Sequence, residues 1–142
     1  MPHRRSFSLA LFIIAASALP GAAQGSPDLV GTWKGTAYAV HIGSNPYRVA
    51  QGPGPNFPDN GIEFTYVIKE QHGNRFAGEM SGGQYKETII GALKPDNTGG
   101  IMLDDDGQYL ISLVDSDTMD ICYSHQFPTS RVAACWQLKR SR

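Results

Sequence analysis

Residues 30–42 read V-G-T-W-K-G-T-A-Y-A-V-H-I, and the alternation in this stretch decides what the rest of the chain can build. In an extended strand, successive side chains point to opposite faces. The odd set is Trp33, Gly35, Ala37, Ala39 and His41; the even set is Thr32, Lys34, Thr36, Tyr38 and Val40. Lys34 and two threonines suit solvent, so Trp33 points inward with three small residues following it. A barrel interior with a large plug at one end and a cavity above has this pattern. The pattern serves a filled barrel equally well if large side chains from other strands take up the room.

Ahead of this strand lies a segment of another kind. Arg4 and Arg5 precede an apolar run over residues 8–19, and small residues follow at Ala16, Ser17 and Ala18 and again at Gly21, Ala22 and Ala23. That is the layout of a secretory signal peptide over residues 1–23, cleaved after Ala23 or, failing that, after Ala18. The run is too short for a membrane span, which takes about 20 residues. No cysteine adjoins the cut, so no lipid or membrane anchor is expected, and the protein is expected in the periplasm or outside the cell. Residues 24–142 then form a single domain. Cleavage would remove two of twelve basic residues and none of thirteen acidic ones, leaving ten against thirteen. A mildly acidic surface disfavours a nucleic-acid partner, which would call for a basic patch.

Cys122 and Cys135 are the chain's two cysteines. In an exported protein such a pair is oxidised, and the spacing does not suit a zinc site with clustered ligand pairs. A disulfide across an antiparallel hairpin places Ile121 opposite Trp136, Tyr123 opposite Ala134, and Met119 opposite Leu138. Arg140 shares the parity of Trp136 and Leu138 and so points inward near the plugged end.

Between these anchors, turn signals recur near residues 73, 83, 97, 106, 116 and 128. Short strands at such spacing indicate an all-β barrel or sandwich. Ile62, Phe64, Tyr66 and Ile68 form one apolar face of a clean alternation, and Phe76, Gly78 and Met80 form the next. A hairpin turn at Gly82-Gly83 would set Met80 against Tyr85, Gly78 against Glu87 and Phe76 against Ile89. Glu87 then lies on the interior face. It is either a polar anchor in an apolar pocket, or a group hydrogen-bonded internally to a tyrosine or histidine, or a strand end near water. Residues 43–60, with their prolines and glycines, exclude a regular element and exceed an ordinary connection. They carry Tyr47, Arg48 and Phe57 and read either as a lid over the barrel mouth or as a solvent-exposed flap. Asp104, Asp105, Asp106 and Gly107 lack the alternating acids and distal Glu of a calcium loop and read as a hairpin turn with glycine at a positive φ. Asp115, Asp117 and Asp120 read as further turn residues. Tyr109, Leu110, Ile111, Leu113 and Val114 make a strand apolar on both faces, which suggests a covered exterior or contact with another subunit.

The whole layout is an eight-stranded antiparallel up-and-down β-barrel with one long first loop and one disulfide. It resembles the calycin superfamily, that is, the lipocalin-like and avidin-like barrels, through Gly31-Thr32-Trp33 at the start and an inward Arg140 at the end. The resemblance implies that Arg140 stacks on Trp33 to close the barrel floor and that the long loop guards the entrance. It further implies a small exported bacterial barrel. The other lipocalin signature regions and the C-terminal helix are missing. Lys34, Gly35 and Thr36 stand where avidins carry their biotin contacts, so biotin is not the expected ligand.

The function expected from these features is non-enzymatic binding of a small, mostly apolar molecule, with no cofactor. The pocket would be lined by Ala37, Ala39, His41, Phe64, Tyr66, Phe76, Met80, Glu87 and Ile89, with Tyr47 and Phe57 at the mouth. An interaction module with a filled barrel is the alternative, either an inhibitor of a secreted enzyme or an oligomeric surface protein. An isomerase or cyclase using Glu87 and His41 is a third reading. No nucleophile–base pair, phosphate loop or metal-ligand cluster stands out in the sequence.

Overall fold

The computed structural model describes residues 25–142, so the expected signal peptide lies outside the described residues. Within them the chain runs as β1 (Gly31–Ala37), β2 (Val40–Ile42), β3 (Ile62–His72), β4 (Arg75–Gly82) and β5 (Tyr85–Leu93). It continues as β6 (Gly99–Leu103), β7 (Gln108–Asp115), β8 (Thr118–Gln126) and β9 (Arg131–Ser141). From β3 onward each strand pairs antiparallel with the next, and β9 returns to pair with both β1 and β2. Trp33 faces Arg140 and Val40 faces Ala133 in one register, so β1 and β2 are halves of a single broken strand. The result is an eight-stranded antiparallel barrel of up-and-down topology with a long loop between β2 and β3 and one disulfide.

The alternation in the first strand holds. Trp33, Ala37 and His41 are buried, whereas Lys34, Thr36 and Tyr38 are exposed. The room left by the small residues is taken from across the sheet: a side chain at Gly35 would collide with the Gln137 carbonyl and with the side chains of Leu138 and Trp136. The lower barrel is therefore filled, with Ile68, Phe76, Ile89, Met102, Ile111, Ile121 and Leu138 among its buried residues.

The floor has the geometry that the resemblance implies. The Arg140 guanidinium sits 4.2 Å from the centre of the Trp33 ring. Its nitrogens donate to the carbonyls of Val30 and Asp28, each at 2.7 Å, and Nε lies 3.2 Å from the Asp117 carboxylate. Trp33 Nε1 donates to the Leu29 carbonyl at 2.9 Å. Gln71 ties down the same segment by accepting from Leu29 N and donating to the Pro27 carbonyl, both at 2.8 Å. The residues ahead of β1 thus seal the barrel base, and Leu29 is buried there.

The disulfide hairpin keeps its expected register: Cys122 faces Cys135, Ile121 faces Trp136 and Tyr123 faces Ala134. Three local expectations need correction. The β4–β5 turn is centred on Gly83 and Gln84, so Glu87 faces Met80 rather than Gly78, and Ile89 faces Gly78 rather than Phe76. Gly83 holds φ at 56° at the first turn position, where such hairpins need glycine, while Gly82 stays in the strand beneath the Phe64 ring. The shift is two residues, so every side chain keeps its face. Gly107 has no positive φ; the Tyr123 ring occupies the place of its missing side chain. Asp120 is a strand residue bonded to Gln137, not a turn residue.

In β7 the ambiguity is resolved. Tyr109 and Ile111 are buried and Leu113 is packed against the core, whereas Leu110 and Val114 face solvent.

Candidate functional site

The site is built at the barrel mouth by the long loop and the β6–β7 and β8–β9 turns. The loop folds inward rather than standing off as a flap. Asn45 and Arg48 close a tight turn on each other, and Asn56 pairs with His41 through both backbone groups, extending the sheet beyond β2. This turn drops Tyr47 into the barrel, edge-on to Phe64 with ring centres 5.3 Å apart. Its hydroxyl donates to Glu87 Oε1 at 2.9 Å. Arg48 fastens the outer side of the loop through Asn60, donating to both its side-chain and backbone oxygens.

Under Tyr47 lies a cavity of about 50 Å³. Its walls include Ala37, Ala39, His41, Phe64, Met80, Tyr109, Tyr123 and Trp136, with Arg48, Asp106 and His125 among the polar residues. That volume suits a few waters or a small chemical group. His41, Asp106, His125 and Val132 also border an open groove of about 890 Å³ that runs along the rim over residues 103–108.

Of the residues expected from the sequence, Ala37, Ala39, His41, Tyr47, Phe64 and Met80 do meet at this cavity. Tyr66 lies beneath it, its hydroxyl 3.5 Å from that of Tyr109. Ile89 is fully buried, and Phe76 packs toward the other end against Gly91. Phe57 is 74% exposed and borders the groove outside, beside Val40. His41 and Glu87 engage different partners: His41 Nδ1 lies 2.9 Å from the Gly43 carbonyl, which accepts its proton, whereas Glu87 is held by Tyr47.

Three carboxylates gather at the rim. One oxygen from each of Glu87, Asp104 and Asp106 lies within 4.8 Å of the others. Asp104 performs its turn role, accepting from the backbone of Asp106 and Gly107. Its other oxygen accepts the Tyr109 hydroxyl at 2.6 Å, and Asp106 accepts that of Tyr123 at 2.6 Å. Burial pushes both Glu87 and Asp104 above the usual carboxylate range, although tyrosine hydrogen bonds pull the other way. Burial, and then the bond to Glu87, likewise makes Tyr47 a weaker acid than an exposed tyrosine.

A second chain of hydrogen bonds leads away from Asp106. The Tyr123 proton goes to Asp106, so the Tyr123 oxygen accepts from His125 Nδ1 at 3.0 Å. His125 Nε2 is then free to accept the Ser130 hydroxyl at 2.9 Å. Ser130 and His125 have the spacing of a nucleophile and its base. Ser130 is buried in the hairpin turn, however, and borders neither cavity nor groove. The chain braces the β8–β9 turn.

Tyr123 and Trp136 could be read as inward-facing from the disulfide register, but their place at the cavity required the positions of the loops. Comparison with protein-family models, curated proteins and solved structures finds no match to the chain.

Proposed function

We propose that this chain is an exported, non-enzymatic binding protein that holds a small, mostly apolar molecule at the barrel mouth. The observation carrying this reading is the cavity under Tyr47, walled by aromatic rings and sharing His41, Asp106, His125 and Val132 with the rim groove. Ligand sites have this make-up: an apolar concavity with a few convergent polar groups. The cavity seats only part of a ligand, so the remainder lies along the groove or displaces Tyr47 and its loop turn. The test is native mass spectrometry of the mature protein purified from its own host, repeated after organic extraction. The expected result is a reproducible added mass that extraction removes. A bare polypeptide that also ignores a panel of apolar fluorophores would overturn the reading.

A second reading, association through the outer wall, is favoured by one observation. Ile90 faces Leu103 and Ile101 faces Leu110 on the outside of β5, β6 and β7, and all four are exposed. Side by side they form an apolar stripe of the kind that marks interaction surfaces.

A further inference from the structure

We propose that His41 Nε2 anchors a hydroxyl group where the cavity meets the rim groove, so that the ligand of this barrel is a neutral alcohol or phenol with an apolar body. The inference rests on the small-ligand reading above and names its chemical class.

The His41 side chain is 3% exposed, and its backbone is paired on both sides, with Val132 of β9 and with Asn56 of the loop. Its Nδ1 lies 2.9 Å from the Gly43 carbonyl. A carbonyl can only accept, so Nδ1 carries the proton, and in the neutral ring Nε2 is left as an acceptor. The carbonyl that selects this tautomer is itself held in place. Gly43 sits at φ 74°, packed so closely on the Thr129 carbonyl that a side chain there would collide with it. Nε2 has no protein partner among the described residues, yet it is not sealed off from solvent as Trp136 Nε1 is. A ring nitrogen that is neither bonded nor sealed opens on the space its ring borders, and His41 borders both cavity and groove. Buried polar groups are nearly always paired, so an open nitrogen on a buried ring marks the place of a ligand atom.

The other residues shared by cavity and groove are committed or also accept. His125 uses both ring nitrogens, on Tyr123 and on Ser130. Val132 is apolar, and Asp106 is a carboxylate that already accepts the Tyr123 hydroxyl. An occupant of the junction therefore meets acceptors and must bring a donor. A hydroxyl is the smallest neutral group that supplies one, and it suits a neck of about 50 Å³. Arg48 borders the same cavity as Asp106, so charges of both signs face the occupant and neither selects a charged ligand. A carboxylate would bring no donor and would face the Nε2 lone pair. Beyond the junction, Val40, Pro55, Phe57 and Phe127 line the groove and give an apolar body a surface to lie on.

Isothermal titration calorimetry at pH 8 tests this with three probes of one body: 4-propylphenol, its methyl ether 4-propylanisole, and 4-propylbenzoate. The expected result is 4-propylphenol binding about fivefold tighter than the ether, the worth of one hydrogen bond, with the benzoate weakest. His41→Phe, which keeps an apolar ring without the acceptor, should bring phenol and ether together. Long-range proton–nitrogen correlation NMR of the parent protein gives a readout that needs no variant. It should show His41 protonated at Nδ1, with the Nε2 resonance moved by 4-propylphenol and not by the ether. Equal affinity for phenol and ether with Nε2 unmoved would overturn the His41 anchor while leaving the small-ligand reading intact. A ring protonated at Nε2, or tightest binding by the benzoate, would overturn it as well. Binding of none of the three would also overturn it, and the fluorophore panel above then decides whether the small-ligand reading falls with it.

Discussion

At Glu87 burial and charge act against each other. Its carboxyl is held above its unfolded value near 4.3, chiefly by desolvation and then by Asp104 and Asp106. A raised folded-state value means that the native state binds the proton more tightly than the unfolded chain does. Its contribution is therefore fully present below the unfolded value and is lost as pH rises through the folded one. Glu87→Gln keeps an acceptor for Tyr47 but cannot ionise. It should raise the unfolding midpoint of the ligand-free protein at pH 8 and leave it nearly unchanged at pH 3.5, as thermal melts at the two values would show. Arg140 presents the opposite case, a charge whose partners are all in place. Arg140→Ala removes the cation–π contact and the bonds to Val30, Asp28 and Asp117 together. A loss on the order of 2–3 kcal/mol is expected in urea unfolding. Arg140→Lys should recover only part of it, because an ammonium cannot span two carbonyls as the guanidinium fork does. The Trp33–Arg140 pair was legible from parity and resemblance. The neighbours of Glu87 were not: Asp104 and Asp106 reach it from a turn whose placement no local pattern encodes.

Among the elements, the β8–β9 hairpin and the 43–61 loop mark the two extremes of what local sequence specifies. In the hairpin, alternation, disulfide and turn agree, and agreement across levels fixes a unique register. The cysteines are 13 residues apart, so cross-linking them is worth about 3 kcal/mol by loop-closure entropy. Cys122→Ala/Cys135→Ala should lower the urea midpoint by about 1–2 M while retaining the β-sheet spectrum. No change in midpoint would mean that strand pairing alone holds the hairpin. The β4–β5 hairpin was less determinate. Gly82 and Gly83 are both able to turn, and what separates them is the Phe64 ring, which takes the space over Gly82. A contact from β3 thus sets a register that local sequence leaves open by two residues. The long loop carries no period at all. Its inward course comes from the Asn45–Arg48 turn and the pairing of Asn56 with His41, both tertiary features. Hence the segment and its Tyr47 were legible as a candidate lid, but the turn that seats Tyr47 on Glu87 and Phe64 was not.

For the molecule as a whole, the inside and the outside of the wall suit different roles. Among the described residues the interior is filled from the Trp33 floor upward and the cavity under Tyr47 lies at the mouth, so the proposed small-molecule site belongs to that end. The outer wall of β5, β6 and β7 instead presents Ile90, Ile101, Leu103 and Leu110 to solvent. Leu110 is 66% exposed, so its burial contributes little to folding, and Leu110→Glu should leave the unfolding free energy within about 0.5 kcal/mol of the parent. If the stripe joins copies of the chain, the parent's sedimentation coefficient should rise over a hundredfold increase in concentration, and Leu110→Glu should flatten that rise by placing a charge where two apolar faces meet. The variant should still bind whatever the parent binds at the mouth, because Leu110 lies on the opposite face of β7 from Tyr109 and Ile111. A parent profile that is already flat would remove the outer wall from the account and leave the mouth as the working surface.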